Sequence, residues 1–320
     1  MVSGPYRLTD RGDRTLTYAA NENYFDGAPH IGTLNFRIVE GSELLSGLQT
    51  GAIDIVHPSS LIPSQDRDAV EALPDVTTAY TDPLTDQMTF FNTQTVSDPK
   101  VRRAIVEAID RQTLVDGILQ GHGEVTDGFI PTGSPLYDES KGGIPYDPAD
   151  AKALLEQAGW DGSRTLQYYV SSGDSNAVLA AQVMQQQLKE VGVEIEINKV
   201  DFGTLMDIAG DNEFDIFSVQ YTITPADYWA DEASLINMDY SWTGGWLNDT
   251  VAENLEITQT SSDENEIRDA YNEVEKVLIE EVPMFSLYFL SNLSAVNNRI
   301  KGAVPSFYGT FNNVQEWDIE

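Results

Sequence analysis

The sequence predicts an α/β fold, on three observations. Between residues 148 and 219, runs of apolar residues with period two alternate with runs spaced by three and four, the order that builds strand and helix layers. Hydrophobic residues make up 41% of the 320, enough for a sizeable core and too many for global disorder. No apolar run approaches the roughly eighteen residues of a membrane-spanning helix.

The elements follow in order. Pro5–Thr9 and Arg14–Ala19 read as strands around the charged turn Asp10-Arg11-Gly12-Asp13. Leu34, Phe36 and Ile38 alternate with polar positions, which predicts a half-buried strand. Ser42 is the expected cap of a helix through Gln49, with Gly51 as its stop. Ile53–Val56 is a short strand, Gln65–Leu73 a helix, and Val76–Tyr80 and Gln87–Asn92 further strands. Asp98 and Pro99 open a helix whose apolar face carries Val101, Ala104, Ile105 and Ala108; Asp110 caps a second, stopped by Gly121. Pro148 opens a helix closed by Gly159. Leu166–Val170, Val193–Val200 and Phe214–Val219 are strands, separated by helices over Asn176–Val191 and Phe202–Ala209. Residues 249–282 form two helices, Met284–Leu290 is a strand, and Val296–Trp317 is strand and loop.

The charge is the strongest compositional signal. Lys and Arg total 18 against 52 Asp and Glu, a net charge of −34. That excess is spread along the chain and disfavours nucleic-acid binding, which needs clustered cations. It fits adaptation to high salt, where a Debye length of about 3 Å screens self-repulsion. There are no cysteines, so disulfides, thiolate metal sites and a lipid-bearing cysteine are excluded from these residues. Met1–Pro5 has neither the basic region nor the apolar core of a signal peptide.

A series of motifs carries a resemblance. Ser3-Gly4-Pro5-Tyr6, Asn23-Tyr24-Phe25 and Leu48-Gln49-Thr50-Gly51-Ala52-Ile53-Asp54 come first. The most specific block is Phe91-Asn92-Thr93 with Asp98-Pro99-Lys100-Val101-Arg102-Arg103-Ala104 and Ala108-Ile109-Asp110-Arg111. Tyr146-Asp147-Pro148, Ala158-Gly159 and Pro283-Met284-Phe285 follow. In this order they resemble the family 5 solute-binding proteins of ABC importers, the peptide/nickel-binding group. The resemblance implies a type II periplasmic-binding-protein-like fold of two lobes. It places residues 1–88 in part of a first lobe, 89–282 in a second, and 283–320 back in the first. Family members usually carry well over a hundred further residues before the Gly-Pro-Tyr motif, so the N-terminal part of the first lobe is expected to be missing.

The resemblance further implies an extracellular, monomeric protein without cofactor or catalytic residues. It would close by a hinge around a solute in the cleft between lobes, then dock on permease subunits. Peptide binders carry a Gly-Trp-x-x-Asp pattern after the Phe-Asp strand. Here Tyr221 keeps the aromatic, Thr224 stands at the carboxylate position, and Asp227 follows three residues later. Some dipeptide binders hold the ligand carboxylate with an Arg after the strand that here is Leu166–Val170; this chain has Ser171-Ser172-Gly173-Asp174. A bidentate clamp therefore lacks its donor. Tyr221, Thr224, Asp227, Tyr228, Trp229, Trp242 and Trp246 are the ligand-binding candidates, the aromatics as rigid contact area, with packing as the alternative for any one of them. An oligosaccharide, an oligopeptide or no ligand at all remain open as readings. A hydrolase is the weakest, since no Gly-x-Ser-x-Gly elbow occurs and the acid pairs are uninformative in so acidic a chain. His30, His57 and His122 are too scattered to predict a metal site.

Overall fold

The computed structural model describes residues 3–58, 62–222, 242–304 and 310–320. The chain forms two units, Met1–Thr81 with Asn292–Glu320, and Asp82–Ser291.

The first unit opens with the antiparallel sheet β1 (Tyr6–Arg11), β2 (Thr15–Ala20) and β3 (Thr33–Arg37), in that order. Then come α1 (Gly41–Thr50), β4 (Ile55–Val56), α2 (Arg67–Glu71) and β5 (Val76–Tyr80). The cap of α1 differs from expectation. The helix starts one residue before Ser42, and the Glu43 carboxylate accepts from the Glu40 amide at 2.9 Å. Gly51 stops it in the left-handed region, as glycine does without steric cost.

The second unit contains β6 (Thr85–Phe91), α3 (Pro99–Glu107), α4 (Arg111–Ile118), β7 (Gly123–Glu124), α5 (Pro148–Ala158), β8 (Thr165–Ser171), α6 (Ser175–Glu190) and β9 (Glu194–Val200). It continues with α7 (Phe202–Asp211), β10 (Ile216–Thr222), α8 (Asp249–Thr260), α9 (Glu264–Glu281) and β11 (Met284–Leu290). Its six strands run β7-β11-β6-β10-β8-β9. β10, β8 and β9 are parallel, and β6 is antiparallel to both neighbours. Two apolar clusters pack on opposite faces. Phe91, Ile105, Leu166 and Met184 belong to one; Phe90, Leu205, Phe217 and Leu278 to the other. Consecutive Phe90 and Phe91 divide between them because side chains alternate across a strand.

Each helix from α3 to α9 starts on an Asp or Asn whose side chain accepts from a first-turn amide: Asp98, Asp110, Asp147, Asp174, Asp201, Asn248 and Asp263. Part of the acid excess thus has a local structural use. Arg102 of α3 is buried and donates to the carbonyls of Val96, Ser97, Glu281 and Val282, tying this helix to the end of α9. Lys141 and Glu275 form a buried ion pair at 2.6 Å, and Glu275 also accepts from the Ile130 amide.

After β11 the chain returns to the first unit as β12 (Leu293–Asn297), β13 (Ile300–Lys301) and β14 (Asp318–Ile319). β12 lies between β4 and β5, and β13 pairs with β14.

The two compact units divide at 81/82 and 291/292, where the resemblance implies lobe boundaries at 88/89 and 282/283. β6 and β11 are buried at every position and pair with each other, Met284 opposite Phe90, inside the second unit's sheet. The strand at Leu34 exists but is not half-buried throughout: Phe36 is 41% and Ile38 beyond it 63% exposed, since little covers that edge.

Candidate ligand site

The second unit brings uncommonly buried polar side chains together where β6 begins and β10 ends. The antiparallel register places Gln87 opposite Gln220, Asp86 opposite Tyr221 and Thr85 opposite Thr222. The two threonine hydroxyls lie 3.1 Å apart. Gln87 is fully buried, and neither its amide oxygen nor its nitrogen has a hydrogen-bond partner among the described residues; the same holds for the Gln220 Oε1. Leaving such groups unpaired costs about 1–3 kcal/mol each.

Asp86 is also fully buried. Its Oδ1 accepts from the Ser286 hydroxyl at 2.6 Å, while Oδ2 has no partner among the described residues. Burial pushes its carboxyl well above the usual range, against the opposing pull of Ser286 and Arg111. Arg111 itself is committed to the carbonyls of Thr126, Ser286 and Ile144 and to Asp127.

On the Gln87 face a hydroxyl relay runs deeper into the core. Thr89 and Ser218 are 2.7 Å apart, and Ser218 and Tyr168 2.6 Å. The N-terminus of α6 follows directly from β8, which puts it at the carboxyl end of the parallel strands. In α/β sheets that end is where ligands collect. Asp174 caps the helix, its carboxyl raised by burial. Asn176 is 7% exposed, and its Oδ1 has no partner among the described residues. Among the described residues the unpartnered atoms here are mostly acceptors, with the Gln87 Nε2 as a donor, and Arg111, which acts on Asp86, is already engaged.

Tyr221 sits in β10, half-buried, on the same face as Asp86. Trp242 packs edge-on against Phe90 and Phe217, at 5.5 and 5.6 Å between ring centres. Trp246 is 8% exposed and donates from Nε1 to Glu281 at 2.6 Å. Both tryptophans therefore serve the apolar cluster around Phe217. Thr224, Asp227, Tyr228 and Trp229 lie outside the described residues. Asp86, Gln87, Gln220 and Asn176 were not expected from sequence. The available signal was the polar Thr85-Asp86-Gln87 run leading into an apolar strand, which reads as a solvated strand end. No group of three or more His, Asp or Glu side chains among the described residues has the arrangement of a metal site.

The chain superposes on a Pseudoalteromonas dipeptide-binding protein in complex with Met-Leu with a TM-score of 0.87, at 19% identity, covering 99% of this chain and 64% of that one. It also superposes on NikZ from Campylobacter jejuni in complex with Ni(L-His), with a TM-score of 0.86 at 20% identity, covering 98% and 68%. These are solute-binding folds. Residues 1–245 match the bacterial extracellular solute-binding proteins, family 5 middle region, and the chain belongs to that family. Among curated relatives, the oligopeptide-binding protein AppA of Bacillus subtilis is 24% identical over 98% of this chain and 61% of its own length. A probable di/tripeptide-binding protein of Pseudomonas aeruginosa is 31% identical over 67% of this chain and 41% of its own. The chain thus spans about three-fifths or less of these relatives.

Proposed function

We propose that this chain is the non-enzymatic solute-binding component of an ABC importer, acting outside the membrane and delivering a peptide or similar small oligomeric solute to permease subunits. Family membership over residues 1–245 carries the reading. The names of the relatives, oligopeptide-binding and di/tripeptide-binding, support the solute class. The Oε1 atoms of Gln87 and Gln220 and the Oδ1 of Asn176, unpartnered among the described residues, favour a ligand that brings hydrogen-bond donors, and the unpartnered Gln87 Nε2 one that also brings an acceptor, as backbone amide groups do. Tyr221, on the Asp86 face and not the Gln87 face of the sheet, would supply contact area at the same strand end. Thr224, Asp227, Tyr228 and Trp229 remain candidates for the same site.

The test is a thermal-shift series in molar KCl with di- to nonapeptides and, in parallel, oligosaccharides. A bound peptide at a hundredfold excess over Kd should raise Tm by roughly 5–10 °C. Tyr221→Ala should remove that shift while changing stability by about 1 kcal/mol or less. A response to oligosaccharides alone would reassign the solute. A flat response to both would support the second reading, a remnant that does not bind. Melting the unliganded chain across KCl concentrations tests salt adaptation: stability should rise steeply toward molar salt as the −34 charge is screened.

A further inference from the structure

The Gln87 face of the second unit's sheet carries a ladder of polar rungs. β6 and β10 set Thr85 opposite Thr222, Gln87 opposite Gln220 and Thr89 opposite Ser218, and alternation puts all these side chains on one face. The outer rung is bridged, hydroxyl to hydroxyl, at 3.1 Å and the inner one at 2.7 Å. The middle rung is not bridged. Glutamines directly opposite one another are within reach, and each carries both donor and acceptor. Yet Gln87 Oε1 and Nε2 and Gln220 Oε1 have no partner among the described residues, so the two amides do not bond each other.

α6 is the crossover between the parallel neighbours β8 and β9, so it runs back along the strands from their carboxyl end. The Tyr168 hydroxyl donates to the Met184 sulfur at 3.7 Å and lies 2.6 Å from the Ser218 hydroxyl, which places Met184 at the inner rung. Four helical residues rise about 6 Å, close to the roughly 6.7 Å between alternate strand residues. Ala180 therefore comes level with the glutamines and Asn176 with the threonines. At the level of the unpaired amides the helix offers methyl groups, from Ala180 and Ala181. At the outer level it offers Asn176 Oδ1, also without a partner among the described residues. Gln87 is the closed end, with no exposed surface, while Gln220 and Thr222 are half-buried and form the open end. Every side chain of the ladder is uncharged.

We propose that the glutamine rung is a subsite for a primary carboxamide, the group that ends a Gln or Asn side chain. This rests on the reading that a peptide-like solute is held at this strand end. The balance of donors and acceptors selects the group. The unpartnered atoms are two acceptors, Gln87 Oε1 and Gln220 Oε1, and one donor, Gln87 Nε2. A primary carboxamide brings two N–H bonds and one carbonyl. One N–H and the C=O lie on the same edge and pair with the edge of Gln87, while the second N–H turns to Gln220. A trans backbone peptide group points its N–H and C=O in opposite directions and cannot make the paired contact. A carboxylate would set oxygen against oxygen, and an ammonium would leave Gln87 Nε2 unpaired. Either would bring a charge to a buried place that supplies no counter-charge among the ladder's side chains. A lone hydroxyl has one donor for two acceptors.

Di- to pentapeptides are the probe, titrated calorimetrically onto the full chain in molar KCl. They come in sets that differ at one position only, as Gln, Glu or Leu and as Asn, Asp or Leu. At one position the carboxamide should bind about tenfold or more tightly than both its carboxylate and its apolar counterpart, because a site built to hydrogen-bond a group rejects analogues that lack it. Gln87→Leu should bring the members of that set to within about threefold of one another. It should also raise the Tm of the unliganded chain, since a buried amide without partners gives way to an apolar side chain of similar size. A Tm that does not rise would overturn the proposal whatever binds, because the amide would then be satisfied in the free chain. Peptide binding without a carboxamide preference would overturn the subsite and leave the solute reading standing. No binding by any peptide would overturn both.

Discussion

The two units use the same strand chemistry to different ends. In the second, β6 is paired on both edges and β11 pairs with β6 on one and with the short β7 on the other, and every position of both is buried. In the first, β1 and β3 are exposed at nearly every position, and their apolar residues include the exposed Leu8 and Phe36. Alternation in a sequence states that a strand has an apolar face. Whether that face is dry depends on what else packs there.

Matched substitutions make this contrast measurable. Ile105→Asp puts a carboxylate into the α3–α6 side of the second unit's core, where Ile105 is fully buried. It should cost more than about 4 kcal/mol and abolish the cooperative melt of that unit. Leu34→Asp in the first unit, where the side chain is only half-buried, should cost about 1 kcal/mol. Equal losses in calorimetry would erase the distinction between the units.

Lys141→Met tests the second unit's buried polar groups. It strands Glu275, whose carboxyl burial already raises against the pull of Lys141. A loss of about 3–5 kcal/mol is expected at neutral pH. The loss should shrink in acid, where the stranded carboxyl takes up a proton; a pH-independent loss would remove the charge from the explanation.

Asp86→Asn has a smaller effect with a definite sign. The folded-state pKa of Asp86 lies above its unfolded value. The native state therefore holds this proton more tightly, and the associated stability, full at low pH, is lost as pH rises from about 4 through the folded-state pKa. The variant should lack that decline and be at least as stable as the parent at pH 7. Urea melts at pH 5 and pH 7 compare the two slopes.

Asp54→Asn should show the least. The Asp54–Arg299 pair at 2.6 Å is well exposed in the first unit, and its loss should cost no more than about 1 kcal/mol, less in high salt. A larger loss would mean that the thin unit depends on surface pairs more than its burial implies.

Much of this was legible beforehand. The aspartates at 98, 110, 147, 174, 201 and 263 announce helix starts, because a cap is made within three residues of itself. The candidate site was less legible. Tyr221, Trp242 and Trp246 are proposed from the same aromatic signal, yet Trp242 packs against Phe217 and Trp246 donates to Glu281. Asp86 and Gln87 look solvated in sequence; their burial comes from partners such as Ser286, two hundred residues on.

By itself the sequence determined the local events, namely caps, stops, strand alternation and the ordered motifs that mark the family. These depend on interactions within a turn or on side-chain period. Tertiary structure alone decided where the chain divides, which polar groups lie dry where β6 begins and β10 ends, and that β3 is left as an outer strand. Pairing and burial are set by segments far apart in the chain, and no local pattern encodes which edge a distant strand will cover.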